Sequence, residues 1–423
     1  MQAVIMAGGK GTRLAEVTKD IPKPMVPIAG KALLEYQIET LRECGVKRII
    51  LIVGYLGDVI RNHFGNGNGF GVDISYYTEE TPLGTAGALS KIKEKLDQSF
   101  FLVFGDLFIN INYNRLFQFH QAKHAEITLF AHPNSHPYDS DIIITDEQDR
   151  VIGWSYKKEI RYTDYRNLVN AGIYVMNKTV ADRIETIQSA KGEDKVDLEK
   201  EVIIPAISTV PFYAYHSTEY VKDIGTPDRM QKVTADFLHG ICEKRNLKHK
   251  QKCIFLNRDG TIIKRVESLK TVEQVELEPD AADAIRQINE SEYLAVVIVD
   301  QSAFAEGECI QDGINLIHNR MYTLLGREGA YVDALFYCPL HPDQNADIWK
   351  KAEDELSADL SLSWFIGDNE TDMQTGLSTG LHTVLLRSDT PQKDKYNAIS
   401  ESVIADNLPD AVKKIFSGII TSK

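Results

Sequence analysis

Apolar residues along this chain follow two rhythms: short unbroken runs, and longer stretches in which they recur every three or four positions. Residues 2–7 (QAVIMA) make one unbroken run that stops at Gly8 and Gly9. "LLEYQIETLRECG" (33–45) has helical spacing, while "RIILIVG" (48–54) and "FFLVFGD" (100–106) read as buried strands. The alternation continues to "VKDIGTPDRMQKVTADFL" (221–238) and predicts a parallel sheet with helices on both faces. The next stretch, "HGICEKRNLKHKQK" (239–252), is basic and polar and reads as a join, with a linker over 240–251. A second alternation then begins. Its strand-like runs are "CIFL" (253–256), "LAVVIV" (294–299), "ALFYC" (334–338), "SWFIG" (363–367) and "HTVLL" (382–386). Helical spacing lies between them, in "EPDAADAIRQINE" (278–290) and "CIQDGINLIHNRMYTLLG" (309–326). Two α/β domains are therefore predicted, over 1–239 and 252–423, with no internal repeat in either.

Composition narrows the functions without choosing one. At 423 residues the chain is too long for one ordinary core, which agrees with two domains. A formal net charge of −14 argues against a broad nucleic-acid-binding face, while leaving room for a local basic pocket that binds phosphate. No apolar run approaches the roughly 18 residues that span a bilayer, so no membrane partner is expected. "MQAVIMAGG" lacks the basic start and long apolar core of a signal peptide. The five cysteines (Cys44, Cys242, Cys253, Cys309, Cys338) are scattered and odd in number, which fits reduced thiols in the cytoplasm better than a disulfide framework.

The first concentration of chemistry is "MAGGKGTRL" (6–14), directly after the first strand, with "IPKPM" (21–25) a short loop later. Closely spaced glycines let the backbone approach a polyphosphate and aim N–H groups at it. Arg13 and Lys23 would then neutralise charge developing on a leaving phosphate. A Walker A loop is excluded, because Gly9-Lys10 is followed by Gly11 where that motif needs Ser or Thr. The dinucleotide fingerprint is excluded by its missing third glycine. Asp106 closes a buried strand, where an unpaired carboxylate is costly, so a cation partner is expected beside it.

Taken together, GGKGTRL, the Pro-Lys-Pro of 22–24, "PLGTAGAL" (82–89), "FGD" (104–106), "NAG" (170–172) and "DIGTP" (223–227) resemble the sugar-1-phosphate nucleotidyltransferases. Among these the sequence is most similar to the heptose-1-phosphate guanylyltransferases, with mannose-1-phosphate guanylyltransferases near by. The resemblance implies a Rossmann-like fold and the reaction NTP + sugar 1-phosphate → NDP-sugar + pyrophosphate. It implies that Ala7, Gly8, Gly9, Gly11 and Thr12 surround the nucleotide, that Gly84 and Thr85 pack against base and ribose, and that Asn170 and Gly172 contact the sugar. Asp223 would join Asp106 in holding Mg²⁺. The family often has Glu-Lys ahead of the NAG motif; here "GWSYKKEI" (153–160) puts Tyr156 at the Glu and leaves Lys157 for the sugar phosphate. Guanine offers two adjacent donors that one carboxylate can accept, and "YYTEETPLG" (76–84) places Glu79 where the family reads the base, which favours GTP.

"FLNRDGTI" (255–262), "VDQSAFAEGE" (299–308), "YCPLHP" (337–342) and "FIGDNETDM" (365–373) resemble the haloacid dehalogenase superfamily, and within it the heptose 1,7-bisphosphate phosphatases. The resemblance implies a second Rossmann-like domain whose first aspartate would attack phosphorus. That position is Asn257, a neutral amide without useful nucleophilicity. Val299 stands at the Ser or Thr that holds the phosphoryl group, and Glu306 at an arginine. Cys338 and His341 are what remains of a four-ligand zinc loop. Asp259, Asp368 and Asp372 survive and leave room for a vestigial Mg²⁺ site. The expectation is a transferase with an inactive phosphatase-like domain. A bifunctional enzyme that also removes the 7-phosphate of a heptose bisphosphate, and a sensor, remain as alternatives. The substrates expected are an NTP and a sugar 1-phosphate; assembly into a homo-oligomer is left open.

Overall fold

The structure, a computed structural model, describes residues 1–9, 20–158, 161, 163–267, 269–299, 311–337, 345–387 and 402–418. Gly11, Thr12, Arg13, Glu306, Cys309, Cys338 and His341 lie outside them. The chain divides into two compact units. The first comprises Met1–Ala131, Ile143–Ser155 and Asn170–Asn246; the second comprises His132–Ile142, Tyr156–Val169 and Leu247–Lys423.

In the first unit the apolar run Gln2–Met6 is a strand lying parallel between Arg48–Val53 and Ser99–Phe104, and Arg48–Val53 pairs in parallel with Asp73–Thr78. Ala3, Val4 and Ile5 are fully buried, as a strand covered on both faces requires. The sheet is not wholly parallel. Val169–Asn177 runs antiparallel to Ser99–Phe104. The helix Leu33–Glu43 buries Leu33, Leu34, Ile38 and Leu41. It stops at Gly45, whose φ of +84° is cheap only for glycine, with the Val46 N–H returning to Leu41 O at 3.0 Å.

The second unit carries a six-stranded, all-parallel sheet. Lys252–Asn257 lies at its centre between Tyr293–Val299 and Trp364–Gly367, and the outer strands are Ala334–Tyr337, His382–Leu386 and Val403–Ala405. Helix Ala281–Asn289 covers it with Ala281, Ala284, Ile285 and Ile288, all fully buried. Both halves are thus α/β, with helices over twisted sheets.

Two features were not legible in the pattern. Within the stretch read as linker, Ile241–Lys244 is a helical turn, and its Cys242 packs with Val26, Tyr36 and Val233 of the first unit. Two segments before residue 170 also belong to the second unit. They are sewn together by Asn134 and Asn167, whose backbone and amide groups exchange hydrogen bonds of 3.1 and 2.7 Å. Tyr165 N–H then donates to Thr323 Oγ1 (3.0 Å) on helix Gln311–Arg327. Such contacts join residues more than 150 positions apart, beyond the reach of any local period. Among the described residues no helix is long and apolar enough to cross a membrane.

Candidate active site

At the carboxyl ends of the first unit's parallel strands lies a cavity of about 780 Å³, lined among others by Gly8, Gly9, Lys23, Glu79, Thr85 and Asp106. Ligands of open α/β sheets bind at that end. Ala7, buried, continues the first strand by donating its N–H to Ile52 O at 2.8 Å. At Gly8 a Cβ would come 2.8 Å from Glu79 Oε2 and 3.2 Å from Gly54 N, so a larger residue there would displace the Glu79 carboxylate and press on the Gly54 loop.

Lys23 sits on the short turn Lys23–Met25, between two prolines that fix its backbone, and is 9% exposed. Its Nζ lies 2.7 Å from Asp106 Oδ2. A Cβ built on Gly225 would lie 2.7 Å from Asp223 Oδ1 and 3.8 Å from Lys23 Nζ, so Asp223 stands near the ammonium, while its own ion-pair partner is Arg229. The two acids come together because Tyr220–Asp223 pairs antiparallel with Leu107–Asn110, setting Asp223 opposite Leu107. Burial alone would raise the Asp223 carboxyl. Hydrogen bonds from Arg229 and the Gly225 N–H, with the charges of Arg229 and Lys23, outweigh that and hold it below its ordinary value.

Glu79 is half-buried at the cavity wall, and burial pushes its carboxyl up while a Leu83 N–H at 3.4 Å opposes the shift. Gly84 and Thr85 line the same cavity, but their residue types have structural causes as well. Gly84, at φ +79°, lies so close to Val196 that a Cβ would be 2.4 Å from its carbonyl oxygen. Thr85 Oγ1 accepts the Leu198 N–H at 2.7 Å.

Asn170 and Gly172 do not line this cavity. Asn170 Nδ2 donates to Tyr174 Oη (2.7 Å) and Glu199 Oε1 (2.9 Å), and its Oδ1 accepts from Gly172 N–H (3.0 Å). Gly172 packs against Phe104, one of the cavity walls. Lys157 falls in the second unit and is exposed, with its backbone N–H held by Asp141 Oδ1 at 2.8 Å.

Three residues of this site were missed in the sequence. Gln37, fully buried on helix Leu33–Glu43, donates Nε2 to Phe104 O (3.0 Å) and Leu107 O (2.6 Å), clamping the turn that carries Asp106. A polar residue on the apolar face of a predicted helix was the available signal. Arg229, in the first turn of helix Pro227–Leu238, pairs with Asp223; "GTPDR" placed it near but gave no direction. Glu199 had no local signal at all.

The second unit gathers its acids at the ends of Lys252–Asn257 and Trp364–Gly367, but each already has a partner. Asp259 is held at two points by Arg258, Nε to Oδ1 at 3.1 Å and Nη2 to Oδ2 at 2.8 Å. Asp368 is held by Arg265, Nε to Oδ2 at 2.9 Å and Nη2 to Oδ1 at 2.5 Å. Asp372 Oδ2 accepts from Asn257 Nδ2 (2.7 Å) and Asn369 Nδ2 (2.8 Å). Burial pushes the Asp372 carboxyl up to about 6 despite these amides. Among the described residues no group of three or more His, Cys, Asp or Glu is arranged to hold a metal ion. Val299 is fully buried in the apolar core and offers no hydroxyl. Arg258, 0% exposed, also reaches His318, its Nη1 lying 3.1 Å from Nε2. A guanidinium only donates, so Nε2 is unprotonated and the imidazole is neutral. Burial, then the charges of Arg258 and Arg166, push His318 down to about 3.

Residues 2–240 match the nucleotidyl transferase family model. The chain belongs to that family. Residues 344–411 match a HAD-hydrolase-like model, which takes in Asp368 and Asp372. A mannose-1-phosphate guanylyltransferase of Mycobacterium tuberculosis is 36% identical over 245 residues, covering 57% of this chain and 66% of that protein. A D-glycero-alpha-D-manno-heptose 1-phosphate guanylyltransferase of Aneurinibacillus thermoaerophilus is 32% identical over 242 residues, covering 57% of this chain and all of that protein. The chain therefore spans just under two thirds of the first relative and the full length of the second. A solved structure, a candidate glucose-1-phosphate thymidylyltransferase from Bacillus anthracis, superposes with a TM-score of 0.50 at 20% identity, over 56% of this chain and 94% of that one. It shows the shared fold.

Proposed function

We propose that the first unit transfers a guanylyl group from GTP to a heptose or mannose 1-phosphate, releasing pyrophosphate. The observation that carries this reading is Lys23, whose ammonium pairs with Asp106 at the edge of a cavity bounded by Gly8 and Glu79, with Asp223 near by. An incoming sugar phosphate is already an anionic nucleophile, so the protein has to align it with the α-phosphorus and offset charge. Lys23 supplies a fixed positive charge for that, and Arg13 a second on the leaving pyrophosphate side. Gly8 and Gly9 leave their backbone open to the phosphates. Glu79 accepts from guanine N1–H and N2–H₂, which agrees with the guanylyltransferase names of the relatives.

Members of the family use a divalent metal. Asp106 and Asp223 fit one: they are hard anionic oxygen donors brought near each other by paired strands, a donor set suited to Mg²⁺. When bound there, Mg²⁺ would neutralise charge on the reacting phosphates. Gln37 and Arg229 fix where the two carboxylates stand.

For the second unit the proposed reading is a phosphatase fold without phosphatase activity, since Asn257 cannot attack phosphorus and its amide is spent on Asp372. The unbonded thiols of Cys44, Cys242 and Cys253 agree with a cytoplasmic enzyme. The test is a panel of NTPs against a panel of sugar 1-phosphates, read as pyrophosphate release. GTP with heptose or mannose 1-phosphate is expected to give GDP-sugar. No NDP-sugar from any pair would end the transferase reading. Phosphate release from heptose 1,7-bisphosphate would establish the bifunctional alternative.

A further inference from the structure

The haloacid dehalogenase-like assignment of the second unit brings with it a metal site, and the side chains do not fit one. We propose that this unit has replaced the divalent cation by its own Arg265. Its strand-end acids are then closed off, Asp259 and Asp368 in ion pairs and Asp372 on amides, and take up a metal only when that guanidinium is removed. The proposal rests on the assignment only for the expectation of a metal; the closure itself is read from the side chains.

Arg265 forks onto Asp368 with two hydrogen bonds of 2.9 and 2.5 Å, and its Nη2 also reaches Asp259 O at 3.2 Å. It therefore spans the two strand ends from which a metal would be ligated. A guanidinium stays charged at any working pH, so proton loss never vacates the place. Asp259 has both oxygens on Arg258, whose side chain is fully buried and has no solvent into which it can swing. Asn257 adds a donor where an acid would have added a negative oxygen, and its amide occupies Asp372. Two of the three carboxylates thus meet guanidiniums and the third two amides, and a divalent ion would have to enter against both positive charges.

The backbone agrees. Gly260, at φ +77°, lies under Asp368 so closely that a Cβ would be 2.2 Å from its Oδ2, and at Gly367 a Cβ would be 2.4 Å from Asp372 Oδ2. Arg265 itself is 53% exposed along its side chain, so the fork can be removed without opening the core.

The experiment counts bound Mn²⁺ by loss of the free-ion electron paramagnetic resonance signal, in full-length protein. The background is Asp106→Asn with Asp223→Asn, which silences the first unit's acids. That parent is expected to bind no Mn²⁺ up to about 1 mM. Adding Arg265→Ala or Arg265→Gln is expected to create one site at least about tenfold tighter than that limit, abolished again by Asp368→Asn. Two substitutions at Arg265 guard against one of them failing to fold, as checked by circular dichroism. Mn²⁺ bound by the parent and lost on Asp368→Asn would overturn the proposal, and so would a folded Arg265 variant that binds none. Neither result touches the transferase reading, because no readout depends on nucleotide or sugar.

Discussion

Both halves of this chain bring aspartates to the carboxyl ends of parallel strands, and they end differently. In the first unit Asp106 meets one buried lysine at an open cavity, and Asp223 near it meets a single nitrogen of Arg229. In the second, Asp259 and Asp368 each receive two-point contacts from an arginine, and Asp372 receives two amides. A single ammonium is a compact point charge that leaves carboxylate oxygens facing the cavity. A guanidinium fork covers both oxygens of its partner. Acid position alone therefore does not make a metal or phosphate site; the geometry of the counter-ion decides.

That contrast is most exposed to test at Asp106. Asp106→Asn should lower GDP-sugar formation by roughly a hundredfold to a thousandfold with the fold intact, the range seen when one electrostatic contact is removed from a transition state. Steady-state rates retaining more than about a tenth of wild type would take Asp106 out of the chemistry. Glu79→Gln probes the other wall of the cavity. One acceptor would remain for two guanine donors, so kcat/KM for GTP should fall by roughly tenfold to a hundredfold while UTP changes little. Equal losses for both nucleotides would mean that Glu79 does not read the base.

The closed cluster of the second unit makes a pH prediction through His318. Its folded value, about 3, lies below the ordinary 6.5, so it contributes stability that is present above 6.5 and lost as pH falls. Between pH 6.5 and 4.5 this one group should cost about 2–3 kcal/mol of unfolding free energy. His318→Gln keeps an acceptor for Arg258 and should lose that part of the slope. Urea unfolding followed by the buried Trp349 and Trp364 at the two pH values measures it; parallel slopes would show that His318 is not held neutral.

Gln37→Leu should lower transferase turnover about tenfold at unchanged secondary structure, because the carbonyls flanking the Asp106 turn lose their clamp. Undiminished turnover would mean that the turn holds its own shape. No effect is expected from Asn257→Asp, which should leave phosphate release from heptose 1,7-bisphosphate and aryl phosphates at background. A carboxylate restored there still meets Val299 where a hydroxyl is needed, and an arginine-filled cluster beside it. Robust release by that variant would show the second pocket still competent, and the two sites less different than their side chains suggest.

Much of this was legible along the chain. Runs of four to seven apolar residues separated by helical spacing mark strands and helices because burial on a sheet and on a helix face has a fixed local period. The turns carrying Gly8, Lys23, Asp106 and Asp223 were equally visible, since tight backbone approach and fixed φ demand particular residue types in sequence. The mixed direction of the first sheet was not, because period says nothing of strand sense. Nor was the recruitment of 132–142 and 156–169 into the second unit.

Asp259 and Asp223 meet arginines one and six residues away, but the partners of Asp106 and Asp368 were beyond local pattern. Lys23 stands 83 residues from Asp106, and Arg265 stands 103 from Asp368. The sequence shows that the acids sit on turns after strands. Coulomb attraction, however, depends on separation in space, and only the folded chain brings Lys23 to Asp106 and Arg265 to Asp368.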